Sequence, residues 1–203
     1  MGHREDLLAG ARRCLYEKGY AHTTARDIVA VSGTNLGSIG YHYGSTQALL
    51  NAAMLSATEE WGDAIAAALA ADESDAGDDP LVRLWRRIIG TMETHRAVFM
   101  ASVEALVQSD RSPELRAQIA AGIREGRSGL AAMLTGQPEE SLPAETVHTL
   151  GAVQMALMSG VLTQWLVDPS TAPSPEQIAA GVRALAAVAT PAAGTPAAGE
   201  DGP

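Results

Sequence analysis

Within the first fifty residues, helix stops and helix starts alternate so closely that only a cluster of short helices fits. Gly19, Gly33 and Gly44 each follow a segment of helical periodicity, the place where glycine ends a helix. Thr24, Asn35 and Ser45 each precede one, where a short polar side chain caps free backbone N–H groups. The spacing predicts helices over 4–18, 25–32 and 36–43, and a fourth that begins at Thr46. Leu8, Ala11 and Leu15 share a face of the first helix. Ile28 and Val31 should point inward from the second, Ile39 and Tyr43 from the third. Asp27 stands where it can close a capping box with Thr24. Only Gly33-Thr34-Asn35 separates the second and third helices, which is the layout of a helix-turn-helix unit.

The rest of the chain continues in helices, expected at 46–71, 81–94, 97–108, 113–134, 143–167 and 175–189. Pro113, Pro143 and Pro175 stand at or near helix starts, where a missing N–H costs little. Aromatic residues are scarce, alanine is abundant and strict alternation is absent, so the expected fold class is all-α. The organisation reads as a small N-terminal domain over 1–50, a larger helical domain over 51–189 and a tail over 190–203. That tail, rich in Ala, Pro, Gly and acid, is expected to be disordered, and 72–80 reads as an acidic loop. The single cysteine, Cys14, excludes a disulfide framework and is expected to be buried and inert beside Leu15. No apolar stretch of membrane-spanning length and no signal peptide stand out, so a cytoplasmic protein without a membrane partner is expected.

The net charge of −10 argues at first against a nucleic-acid partner. Its distribution does not. Residues 1–50 hold five Lys/Arg and four Asp/Glu, a net of +1 that leaves −11 on the remainder. Any DNA contact by this segment must use few cations and depend on local geometry.

Between Gly19 and Leu50 the chain carries Gly19-Tyr20, Thr23-Thr24, Asp27-Ile28, Ser32-Gly33, Gly37, Ile39, Tyr41-His42-Tyr43-Gly44-Ser45 and Ala48-Leu49-Leu50. In this register it resembles the DNA-binding segment of the tetracycline-repressor (TetR) family. The resemblance implies that the helix over 36–43 enters the major groove of double-stranded DNA. Gly37 and Gly40 each cost about 1 kcal/mol relative to Ala inside a helix, and close approach to another molecule is one reason to keep them. On this reading Leu36, Gly37, Ser38 and Gly40 face outward. Ser38 would meet a base edge and Leu36 a thymine methyl. Tyr41 and His42 suit phosphate oxygens. So do Thr24, Arg26 and Thr46 at helix starts, and Asn35, at the start of the recognition helix, belongs to the same set. The sequence departs from the family pattern at three positions. Thr46 replaces the usual lysine, Gly40 stands where Tyr is frequent, and Thr34 where an apolar residue is usual. These departures imply a weaker or unusual operator contact. Because one unit reads only a half-site, the resemblance also implies a homodimer on a pseudo-palindrome.

The last two helices are the expected dimer surface. Val147, Leu150, Val153, Leu157 and Val161 make one stripe, with Gly151, Ala156 and Gly160 permitting close approach; Ile178, Val182, Leu185 and Val188 make another. The same stripes also suit an ordinary intramolecular core. A pocket for a small hydrophobic effector, implied by the resemblance, draws its walls from Trp85, Met92, Phe99, Met100, Met133, Met155, Met158 and Trp165. His95, Gln154 and Gln164 are available to orient a ligand. Core filling is the plainer use of each of these side chains. The five histidines lack metal-ligand spacing, and neither a nucleophile elbow nor a phosphate loop is present. The reading is therefore a ligand-responsive repressor, with no enzyme activity, cofactor or metal expected. A helical ligand-binding or scaffolding protein with a weakened DNA head is the alternative.

Overall fold

The computed structural model describes residues 2–70 and 79–189, and the described residues form nine α-helices and no strand. The helices are α1 (His3–Lys18), α2 (Ala25–Ser32), α3 (Leu36–Tyr43), α4 (Thr46–Ala70), α5 (Pro80–Met92), α6 (Arg96–Ser109), α7 (Pro113–Thr135), α8 (Ala144–Val167) and α9 (Pro175–Ala189). The expected tail and most of the expected acidic loop lie outside the described residues.

The starts and stops read from the sequence are built as expected. Gly19, Gly33 and Gly44 all have positive φ, a conformation that costs glycine least. Thr24 and Asp27 form a full capping box, and the Asn35 side chain accepts from the Ser38 amide at 3.0 Å. One inward residue of α2 differs. Val31 is exposed, because the buried line runs through Ile28 with Ala25 and Val29 packed beside it. That line continues to Ser32, which sits against Gly10 of α1, where an added Cβ would lie 2.8 Å from the Ser32 Cβ.

Two apolar clusters hold the chain together. The first lies under α1–α3 and includes Leu7, Ala11, Leu15, Ile28, Ile39, Leu49 and Leu50. It also takes in Ala105 of α6 and Leu115 of α7, both fully buried. Cys14 sits in the same cluster, and burial pushes its thiol pKa up. The second cluster joins Trp61 and Ile65 of α4 to Trp85, Ile88 and Met92 of α5, Phe99 of α6, Met158 and Val161 of α8 and Ile178 of α9.

α8 departs from the plain helix expected over 143–167. Its residues Val147–Gly151 form a π-helical turn before the α-helix resumes at Ala152. Gly151 presses on α7 so closely that a Cβ would overlap the carbonyl oxygen of Arg127. Gly151 therefore serves an intramolecular crossing rather than the expected dimer contact, whereas Gly160 faces open space. α8 also revises the expectation about apolar length. By length and composition it could cross a membrane, with an 18-residue window of mean hydropathy 1.4, of which 22% is buried.

Candidate DNA interface and effector cavity

α2 and α3 meet α1 from one side and leave α3's other face to solvent. Tyr41 is 86% exposed and Leu36, Gly37 and Gly40 are exposed beside it. His42 is half-buried, its ring edge-on to that of Tyr41 at 4.8 Å. Ser38 corrects the sequence reading. Expected to face outward, it is only 9% exposed, with its hydroxyl 3.4 Å from Nδ1 of His3 under the start of α1. Residue 38 lies about 100° round the helix from Ile39, and the start of α1 at His3 covers it. The side chains left on the open face are those of Leu36 and Tyr41, with two glycines between them.

Gly37 and Gly40 differ in what they permit. A Cβ at Gly37 would lie 3.2 Å from Oδ1 of Asn35, the oxygen that caps α3. A Cβ at Gly40 would meet nothing within 4 Å, so no packing inside the chain requires glycine there.

At the start of α2, Thr24 and Arg26 are exposed. The Thr24 amide and hydroxyl both donate to Asp27, at 2.9 and 2.6 Å. The Lys18 ammonium also donates to Asp27 and, with Thr24, holds its carboxyl well below the usual carboxylate range. The negative charge of Asp27 at this edge is thereby compensated by Lys18. Thr46 is half-buried at the start of α4 and borders a polar hollow shared with Tyr20, Gln47 and Arg111. Beneath it Tyr20 donates to Oδ1 of buried Asn51 and accepts from Gln47. Burial pushes the Tyr20 hydroxyl up to about 12. Glu104 of α6 reaches into the same corner and accepts from the Ala21 amide at 3.0 Å.

The second site is a partly open cavity of about 320 Å³ lined by α4, α6, α7 and α8. Of the residues expected in a pocket, Phe99, Met133, Met155 and Met158 line it. The other expectations fail for separate reasons. Trp85 and Met92 are fully buried in the second cluster, on a face of α5 that does not reach the cavity. His95 stands at the start of α6, where its Nδ1 meets the Thr91 carbonyl at 2.8 Å. Met100 is 43% exposed on the outer side of α6. Gln154 is buried away from the cavity, its amide nitrogen without a hydrogen-bond partner. Trp165 lies under the Arg96 guanidinium at 5.9 Å, and Gln164 is turned back to the Gly160 carbonyl.

Sequence reasoning missed most of the wall. α4 contributes Met54, Thr58, Trp61 and Ile65, which follow 4/3/4 spacing. α7 contributes Gly122, Gly126 and Gly129, a line of bare backbone on one helix face. Both periodicities were present as signals. Trp61 meets Phe99 edge-to-face at 4.6 Å, a favoured aromatic geometry.

Residues 76–189, more than half of the chain, match the family described as "Tetracyclin repressor-like, C-terminal domain". The chain belongs to the TetR family. Its residues 7–53 match the description "Bacterial regulatory proteins, tetR family". The TetR assignment makes it a DNA-binding transcriptional regulator. It is 25% identical to the HTH-type transcriptional regulator TtgR of Pseudomonas putida, over 83% of this chain and 82% of the relative. It is equally similar to the probable HTH-type transcriptional regulator ArpR of the same species, over the same shares. The fold is like that of the multidrug binding protein EbrR in its crystal structure with imidazole. That likeness has a TM-score of 0.67 and 23% identity, covering 90% of this chain and 94% of that one.

Proposed function

We propose that this TetR regulator is a ligand-responsive repressor that holds a pseudo-palindromic operator as a homodimer and releases it when a small hydrophobic molecule binds. The observation that carries the reading is the apolar cavity, because two of its walls are also the helices that seat the DNA head. α4 presents Leu49 and Leu50 to the head and Trp61 and Ile65 to the cavity. α6 presents Ala105 and Glu104 to the head and Phe99 to the cavity. A ligand shifts such an equilibrium only by binding one arrangement of these helices better than the other. EbrR, a structural neighbour, is named as a multidrug binding protein and has been crystallised with proflavin, which supports a small-molecule effector for a chain of this fold.

The homodimer surface is assigned to α8 and α9. Leu150 and Val153 of α8 and Leu185 and Val188 of α9 are exposed, while Val161 and Ile178 turn into the core. The apolar length of α8 is accounted for by this dimer face, and a cytoplasmic location without membrane insertion goes with it.

The test is fluorescence anisotropy of the full chain against the DNA flanking its own gene, with scrambled DNA as control, at two salt concentrations. Sequence-specific binding with a shallow salt slope, relieved by an apolar compound, is the expected result, because few cations face the DNA. Equal weak binding to both DNAs would favour a helical ligand-binding protein with a weakened head.

A further inference from the structure

The hydrogen-bonding groups around the cavity have a common polarity. None of its lining residues is Asp, Glu, Lys, Arg or His. Its polar side chains are Thr58, Ser102 and Ser159, and each hydroxyl donates to the carbonyl four residues earlier on its own helix, at 3.0, 2.9 and 2.9 Å. The indole N–H of Trp61 donates at 2.8 Å to Thr91, which is not a lining residue. The donors are therefore committed, and what remains for a guest is the lone pairs of three hydroxyl oxygens.

The rest of the wall is apolar. Gly122, Gly126 and Gly129 lie on one face of α7, with Met155 packed over Gly126, and the edge-to-face Trp61–Phe99 pair joins them on the lining. A cavity of about 150 Å³ holds benzene, so about 320 Å³ takes two fused rings.

We infer that the effector is an uncharged, two-ring molecule carrying a hydrogen-bond donor, of the phenol class, with its O–H donating to the hydroxyl edge. This rests on the reading of the cavity as the effector site. An anion finds no cationic side chain there. The carboxylate of Glu139 stands beside Gly129 without lining the cavity, so an ammonium finds no carboxylate among the lining residues, and desolvating it costs more than a hydroxyl acceptor offsets. An ether or ketone of the same shape leaves the hydroxyl oxygens without a donor.

The test is isothermal titration calorimetry of the full chain with four probes on one ring system: 2-naphthol, 2-methoxynaphthalene, 2-naphthoate and naphthalen-2-ylmethylammonium. The expected result is that 2-naphthol binds at least about tenfold tighter than each of the others. In the triple variant Thr58→Ala, Ser102→Ala, Ser159→Ala its affinity falls to that of the methoxy probe. Circular dichroism checks that the variant is folded. Equal binding of the methoxy probe, or a preference that survives in the folded triple variant, overturns the donor assignment. Comparable binding of either ion overturns the neutrality. Those outcomes leave the cavity an effector site, whereas no binding by any of the four overturns that reading as well.

Discussion

Single residues at the joint between head and body carry defined electrostatic loads. Asp27 has its pKa lowered chiefly by the Lys18 hydrogen bond and then by Thr24. A carboxyl depressed in the folded state contributes stability that is present above its ordinary value of 3.8 and is lost as pH falls through the folded value. Asp27→Asn is therefore expected to lower Tm at pH 7, with the difference from the parent shrinking below that value. Thermal melts at a series of acid pH values check this. Tyr20 behaves in the opposite sense. Its hydroxyl is raised by burial to about 12, so its contribution is full below pH 10 and fades as pH rises toward 12. Tyr20→Phe should cost about 1 kcal/mol at neutral pH through the lost bond to Asn51. It should also flatten the alkaline decline of stability in urea titrations.

Individual helices differ in what a glycine does for them. A Cβ at Gly122 would meet only Leu55, at an ordinary 3.7 Å. Gly122→Ala is expected to stabilise the free chain by up to about 1 kcal/mol, while narrowing the cavity. Gly151→Ala has the opposite sign, since its Cβ would overlap the Arg127 carbonyl; a loss of about 3 kcal/mol is expected. Denaturant unfolding of the two variants compares them directly. The helices of the head were legible in the sequence because each is bounded by its own local chemistry: Thr24 and Asn35 cap starts, and Gly19, Gly33 and Gly44 close ends. The π-turn of α8 was not, because nothing in the spacing of 143–167 marks it; it ends at Gly151, which packs against the Arg127 carbonyl of α7. The pocket was half legible for the same reason. Side-chain type pointed to Phe99, Met133, Met155 and Met158, but which face of α5 or α6 meets the void is decided by helix packing. That packing withdrew Trp85 and Met92 and brought in Trp61 and the glycines of α7. Ser38 failed because the start of α1, at His3, covers a side of α3 that the α3 sequence alone leaves open.

At the scale of the whole molecule, the exposed apolar side chains of α8 and α9 predict assembly. Val153 is 59% exposed and Val188 86%. Charges in the middle of such a face oppose association, so Val153→Asp combined with Leu185→Asp is expected to yield a folded monomer in sedimentation velocity. Operator affinity should drop with it, because a lone head reads one half-site. The two halves of the chain are joined more closely than the two family descriptions it matches imply. Leu115, near the start of α7, and Ala105 of α6 are fully buried in the same cluster as Leu7 and Ile28 of the head. For anyone building hybrid regulators by exchanging DNA heads, this leaves no clean seam along α4. A transplanted head must bring the α6–α7 corner with it, or its hydrophobic underside will rest on a surface shaped for another sequence.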